Sequence, residues 1–146
     1  MRARDHTNAM LAWWHDAGIE RADLALRRAD GAMLWYRDAE LDRLPLAWAG
    51  RENARGAEVY ARPARGASWA LVFLDDLAPE RAHRAADRYD ALVVRTSPQG
   101  GCHLWLRTPV ALDERQRRAC QRYLAERTGA DRASTSGEHL GRLIRA

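Results

Sequence analysis

Two adjacent carboxylates, Asp75 and Asp76, end an apolar run that starts at Trp69 and continues through Ala70, Leu71, Val72, Phe73 and Leu74. A run of that composition reads as a strand buried on both faces, with the acids at its exit. Paired acids repel one another unless a divalent cation lies between them, and such a cation lets carboxylates act on phosphate esters. Three further features suit that chemistry. The loop Thr96-Ser97-Pro98-Gln99-Gly100-Gly101 can bring backbone N–H groups close to a triphosphate, His103 follows it, and Asp131 supplies a third acid. Two-metal phosphoryl chemistry holds its ions about 3.5–4 Å apart to stabilise attacking and leaving oxygens. Together these residues point to a nucleotidyl-transfer site.

Each feature also has a plainer reading. Adjacent strand residues face opposite ways, so Asp75 and Asp76 share a site only if the strand ends or twists there. The doublet before Leu77-Ala78-Pro79 can equally cap the next helix. Ser97 to Gly101 can be a simple hairpin connection, and a lone histidine on an apolar strand is commonly structural. Asp131, two residues after Gly129, can cap a short turn through Ser134.

The elements that must position these groups are read from periodicity and breakers. Thr7 or Asn8 is expected to cap a helix through Trp14 that stops at Gly18, with the Trp13-Trp14 pair as packing residues. Residues 23–28 and 32–37 form a hairpin around Ala29-Asp30-Gly31. Asp38 is expected to cap a short helix, and Pro45 to interrupt it or open another that ends at Gly56. Ala57 to Arg62 alternates as a strand, and the short Pro63–Gly66 link favours antiparallel pairing with the strand that carries the acids. A helix from Pro79 to about Tyr89, strands at 91–95 and 102–106, and a basic helix from Asp113 to Thr128 complete the set. That last helix carries Arg115, Arg117, Arg118, Arg122 and Arg127, interspersed with acids as on a solvated face.

At 146 residues the chain is the size of one ordinary domain. All 24 of its basic residues are arginine, and the net charge of +4 permits a nucleic-acid partner. Cys102 and Cys120 have neither disulfide-framework nor zinc-ligand spacing and are expected to be reduced thiols. There is no signal-peptide pattern and no apolar run long enough to span a membrane, so a cytoplasmic protein without membrane partners is expected.

From Leu46 to Leu143 the sequence resembles the RepB-type primase domain of plasmid and mobile-element replication proteins, a branch of the archaeo-eukaryotic primase superfamily. The resemblance is carried by Arg51-Glu52-Asn53-Ala54-Arg55-Gly56-Ala57-Glu58-Val59-Tyr60-Ala61-Arg62-Pro63, by Leu74-Asp75-Asp76-Leu77, by Val94 to Gly101 leading into Leu104-Trp105-Leu106, and by Gly129-Ala130-Asp131 followed by Gly141-Arg142-Leu143. It implies an α+β fold in which a central antiparallel or mixed sheet, similar to an RNA-recognition core, is flanked by helices. With the chain length it gives one domain over 1–146, in which the catalytic core is expected in 44–146 and the N-terminal helix and hairpin of 1–43 stand outside the resemblance. Family members usually continue after Arg142-Leu143 into a further helical segment, which this sequence does not carry.

The implied activity is a DNA primase or primase-polymerase: a nucleotidyltransferase that makes primers on single-stranded DNA from nucleoside triphosphates, with Mg²⁺ or Mn²⁺. By the same resemblance Asp75, Asp76 and Asp131 hold the metal. His103, in Gly101-Cys102-His103, and Arg142 contact the nucleotide together with Ser97, Gly100 and Gly101, while Arg55 and Arg62 are assigned to DNA. A replicative helicase or initiator protein is the implied protein partner. The competing reading is a non-catalytic single-stranded-DNA-binding or replication-initiation module on the same fold. A nicking enzyme of mobile elements is disfavoured because no His-hydrophobe-His pair is present.

Overall fold

A computed structural model describes residues 3–95, 101–132 and 141–144. In chain order its elements are α1 (Ala3–Asp16), β1 (Arg21–Arg27), β2 (Met33–Glu40), a 3-10 turn (Leu41–Arg43), α2 (Leu46–Ala54), β3 (Glu58–Pro63), β4 (Trp69–Leu77), α3 (Pro79–Arg88), β5 (Ala91–Arg95), β6 (Cys102–Leu112), α4 (Glu114–Thr128) and β7 (Gly141–Ile144). The fold is α+β with antiparallel strand pairing, and its strands divide between two sheets. Two compact units result, one of Met1–Arg65 with Leu140–Ala146 and one of Gly66–His139.

The first unit holds a four-stranded sheet in the order β2-β1-β3-β7. The expected hairpin is present, β1 pairing with β2 from Arg27↔Met33 outward. Alternation puts Leu24, Leu26, Val59 and Ala61 on one face, all buried, and Asp23, Arg27, Glu58, Tyr60 and Arg62 on the other. Trp14 and Met10 are buried, so Trp14 serves packing as expected, while Trp13 is half-buried. Three local expectations fail here. Thr7 lies inside α1, which begins earlier, and its hydroxyl donates to the Leu143 carbonyl at 2.8 Å. Asp38 caps no helix: it sits in β2 with a φ of 52°, its N–H donating to the buried Asp23 carboxylate. And β3 does not pair with β4, because both its edges are taken, by β1 and β7.

The second unit is a three-stranded sheet in the order β4-β6-β5, with α3 connecting β4 to β5 and β6 inserted between them. This is the split β-α-β arrangement. Val72 and Leu74 of β4 and Leu104 and Leu106 of β6 pack with Ala82 and Ala85 of α3 and Leu124 and Ala125 of α4 in one buried cluster. The sheet's other face carries Leu71, Phe73, His103 and Trp105, also buried. A capping box between Asp113 and Gln116 starts α4, and Gly129 at φ 78° ends it. Arg117 departs from the solvated-face expectation. It is 1% exposed, its guanidinium 3.7 Å over the Trp69 ring and donating to the Leu112 carbonyl.

Candidate active site

The two acids sit on a bulge. In the β4–β6 ladder Leu74 pairs with Leu104 and Leu77 with Cys102, so Asp75 and Asp76 together oppose the single residue His103. The extra residue resolves a packing conflict. Leu74 and Leu77 are three apart and would face opposite ways in a regular strand, yet both are buried in the cluster beneath α3 and α4. The conformational cost falls on Asp76, whose φ of 54° is a left-handed value that Asp tolerates better than most residues. The Asp76 N–H donates to Oδ1 of Asp75 at 2.8 Å. Asp76 is exposed and Asp75 half-buried. The helix-cap reading does not apply, because Ala78 is the N-cap of α3 and Pro79 its first helical residue.

His103 follows Asp75 onto the face opposite the helices, since it alternates with Leu104. The imidazole is buried, edge-on to Phe73 at 5.2 Å and to Trp105 at 6.4 Å between ring centres. From α4, Gln121 reaches under this layer and donates to the Phe73 carbonyl at 2.8 Å. Asp131 is brought to the same strand end by main chain. Gly129 turns the chain out of α4, Ala130 buries itself in the apolar cluster, and the Asp131 N–H donates to the Asp75 carbonyl at 2.9 Å.

The donors fit a hard divalent cation, being carboxylate oxygens, with substrate phosphates left to complete the shell. They do not form an all-protein cage. Among the described residues, no three His, Cys, Asp or Glu side chains gather closely enough to hold an ion, Asp75, Asp76 and Asp131 included. Both cysteines are free thiols, and burial pushes the Cys120 thiol up from its usual range.

The remaining residues named from sequence fall in three places. Ser97 and Gly100 lie outside the described residues, in the connection between the paired ends Arg95 and Cys102, and half-buried Gly101 lies next to Cys102. Arg55 is exposed at the end of α2 and paired with Glu52 at 3.3 Å. Arg62 is not presented at the surface: it is 8% exposed and its Nε donates to Asp23 at 3.0 Å, so its charge is spent inside the first unit. Asn53, which had no assigned role, closes the α2–β3 turn by donating to the Ala57 carbonyl at 2.8 Å.

Arg142 of β7 stands opposite Tyr60 of β3, and its guanidinium donates to Glu58 at 2.8 Å. Glu58 also accepts from Arg27 and, at 2.8 Å, from the Tyr60 hydroxyl. The Tyr60 hydrogen bond, with Arg27 and Arg142, holds the Glu58 carboxyl below its ordinary value, and burial pushes the Tyr60 hydroxyl up. Sequence reading missed Glu58. It stands within the Arg51–Pro63 stretch that carries the resemblance, two residues before Tyr60 and on the face of the strand that also bears Arg62.

Residues 3–143 match the RepB DNA-primase N-terminal domain. The chain belongs to the RepB DNA-primase family. This RepB-type domain is 37% identical over 132 residues to mobilization protein A of Escherichia coli, covering 86% of the chain and 18% of that protein's length. Among solved structures it is similar to the catalytic domain of primase RepB′ in complex with initiator DNA, at 32% identity and a TM-score of 0.80 over 95% of this chain and 76% of the other. A structure of primase RepB′ gives 30% identity and a TM-score of 0.81 over 94% and 49%. The primase-polymerase domain of cyanophage S-2L shares the fold, with a TM-score of 0.69 at 14% identity over 96% and 80%. Among the described residues of the RepB-type domain, no helix is long and apolar enough to cross a membrane.

Proposed function

We propose that this RepB-type domain, residues 1–146 acting as one, is a DNA primase that joins nucleotides on a single-stranded DNA template for plasmid or mobile-element replication. The observation that carries the reading is the β4 bulge, which sets Asp75 and Asp76 opposite His103 while Asp131 is tied to Asp75. A 3′-hydroxyl attacks the α-phosphate of a bound nucleoside triphosphate. The hydroxyl gives up its proton to solvent as the new P–O bond forms, the bond from the α-phosphorus to the oxygen bridging to the β-phosphate breaks, and pyrophosphate leaves with the electron pair. Asp75, Asp76 and Asp131 would hold Mg²⁺ or Mn²⁺, which supplies charge stabilisation at those oxygens. His103, aligned by Phe73 and Trp105, is assigned to a phosphate oxygen, and Arg142, Ser97, Gly100 and Gly101 to nucleotide binding by resemblance. Arg55 is assigned to the template, where arginine–phosphate contacts weaken with salt. A replicative helicase or an initiator would bring the domain to its template.

The test incubates the protein with single-stranded DNA, labelled nucleotides and either metal. Template-dependent product is expected from the wild type, with a loss of about 100-fold or more in folded Asp75→Asn and Asp76→Asn proteins. Undiminished synthesis by those variants refutes the assignment. Oligonucleotide binding that is indifferent to chelator, with no nucleotide incorporation by the wild type, shows a binding module in place of an enzyme.

A further inference from the structure

On the helical side of the second unit, α3 and α4 enclose a cleft of about 260 Å³ lined by Arg81, Arg84, Arg88, Arg127, Tyr89 and Thr128, with Ala85 at its floor. Arg81, Arg84 and Arg88 recur at helical spacing on one face of α3, and Arg127 comes from the last turn of α4. All four are exposed. Among the described residues none of them forms an ion pair, although Glu80, Asp87 and Glu126 stand on the same helices. Elsewhere on the chain arginines are spent on carboxylates, as with Arg27, Arg62, Arg107, Arg118 and Arg142. Four uncompensated guanidinium groups on one small cleft repel one another, and an anion with several acceptor oxygens relieves that repulsion.

Two tyrosines accompany the charges. Arg127 lies 3.6 Å over the ring of Tyr123, which is 53% exposed, and Arg88 lies 5.6 Å over the half-buried Tyr89. Arginine beside accessible aromatic rings is the pairing that holds single-stranded nucleic acid, phosphates on the guanidinium groups and bases on the rings. The α3 and α4 side of the sheet is the one opposite His103 and Phe73, and within the cleft Arg81 borders Gly129, two residues before Asp131.

We propose that the α3–α4 cleft is a second nucleic-acid site, which grips the sugar-phosphate backbone of single-stranded DNA away from the acidic bulge. The choice of DNA as the anion rests on the primase reading; the existence of an anion site rests on the cleft alone. The experiment measures binding of a fluorescent oligothymidylate to the intact chain, by anisotropy, without metal or nucleotide, between 50 and 200 mM salt. Arg84→Gln/Arg88→Gln is compared with Arg115→Gln/Arg122→Gln, which removes equal charge from exposed positions of α4 outside the cleft. Each lost phosphate contact removes about 0.7 from the single-strand salt slope, so the cleft pair should lose about sevenfold less affinity over that fourfold salt range. The control pair should keep the wild-type slope. Equal changes in both proteins overturn the proposal, as do no change in either or capture of a poly-glutamate peptide with DNA binding intact. Primer synthesis by the wild-type protein tests the other reading separately: no synthesis with the cleft pair still losing salt slope sinks only the primase reading, and synthesis with an unchanged slope sinks only this cleft.

Discussion

The main-chain N–H of Asp131 donates to the main-chain carbonyl of Asp75, 2.9 Å away, although the two residues are 56 positions apart. The bond joins the loop that leaves α4 to the end of β4, immediately before the backbone turns at Asp76. The position of the third acid therefore depends on how α4 ends. Gly129 ends it at φ 78°, and a Cβ built there would stand 2.4 Å from Nη1 of Arg81.

Gly129→Ala should consequently act at a distance. A non-glycine residue in the left-handed region costs about 1–2 kcal/mol, and the Arg81 side chain must also move. For a chain of this size each kcal/mol lowers Tm by about 2–4 °C. Calorimetry should show a drop of that order, and primer synthesis should fall further than stability does, because Asp131 is displaced from Asp75. A variant with a lowered Tm but full synthesis would separate Asp131 from the site.

Asp76 allows the opposite separation. At φ 54° glycine is at least as comfortable as aspartate, so Asp76→Gly should leave Tm within about 2 °C of wild type. Losing the carboxylate should still abolish metal-dependent synthesis. Asp76→Val should do both kinds of harm, since a β-branched residue does not accept that conformation. Thermal melts and incorporation assays on the two variants, side by side, check this.

Much of this site was legible in sequence because composition reports burial well. The apolar run ending at Asp75, the glycine after α4 and the strand bearing His103 all stand where periodicity puts them. What composition does not report is register. Nothing in Leu74-Asp75-Asp76-Leu77 distinguishes a regular strand from a bulged one until it is known that both leucines must reach one helical layer. The same limit hid the division of the strands. β3 and β4 are adjacent in sequence and joined by a short link, but β1 and β7 already occupy both edges of β3. Arg62 and Arg117 read as surface charge because their partners, Asp23 and Trp69, are remote in sequence.

Arg117 therefore predicts as a core residue. Arg117→Ala removes the side chain stacked on Trp69 and leaves the Leu112 and Ala67 carbonyls short of a donor. Together the cavity and the lost bonds should cost roughly 2–4 kcal/mol. Arg117→Lys should recover little of this, because an ammonium cannot stack on the indole and fork to two carbonyls at once. Urea melts on both proteins measure the difference, and oligonucleotide affinity corrected for the folded fraction should not change.

The cluster around Glu58 predicts a pH dependence with a definite sign. The Glu58 carboxyl is held below its ordinary value of 4.5, first by the Tyr60 hydroxyl and then by Arg27 and Arg142. A carboxylate depressed in the folded state contributes stability that is fully present above the unfolded value and is lost as pH falls through the folded one. Glu58→Gln should thus melt below wild type at pH 7, with the gap closing as pH drops below about 4.5. It also frees the Arg142 guanidinium from its carboxylate. If Arg142 meets the triphosphate, nucleotide KM should change in Glu58→Gln far more than kcat, whereas a purely structural ion pair would leave both parameters alone once the folded fraction is matched.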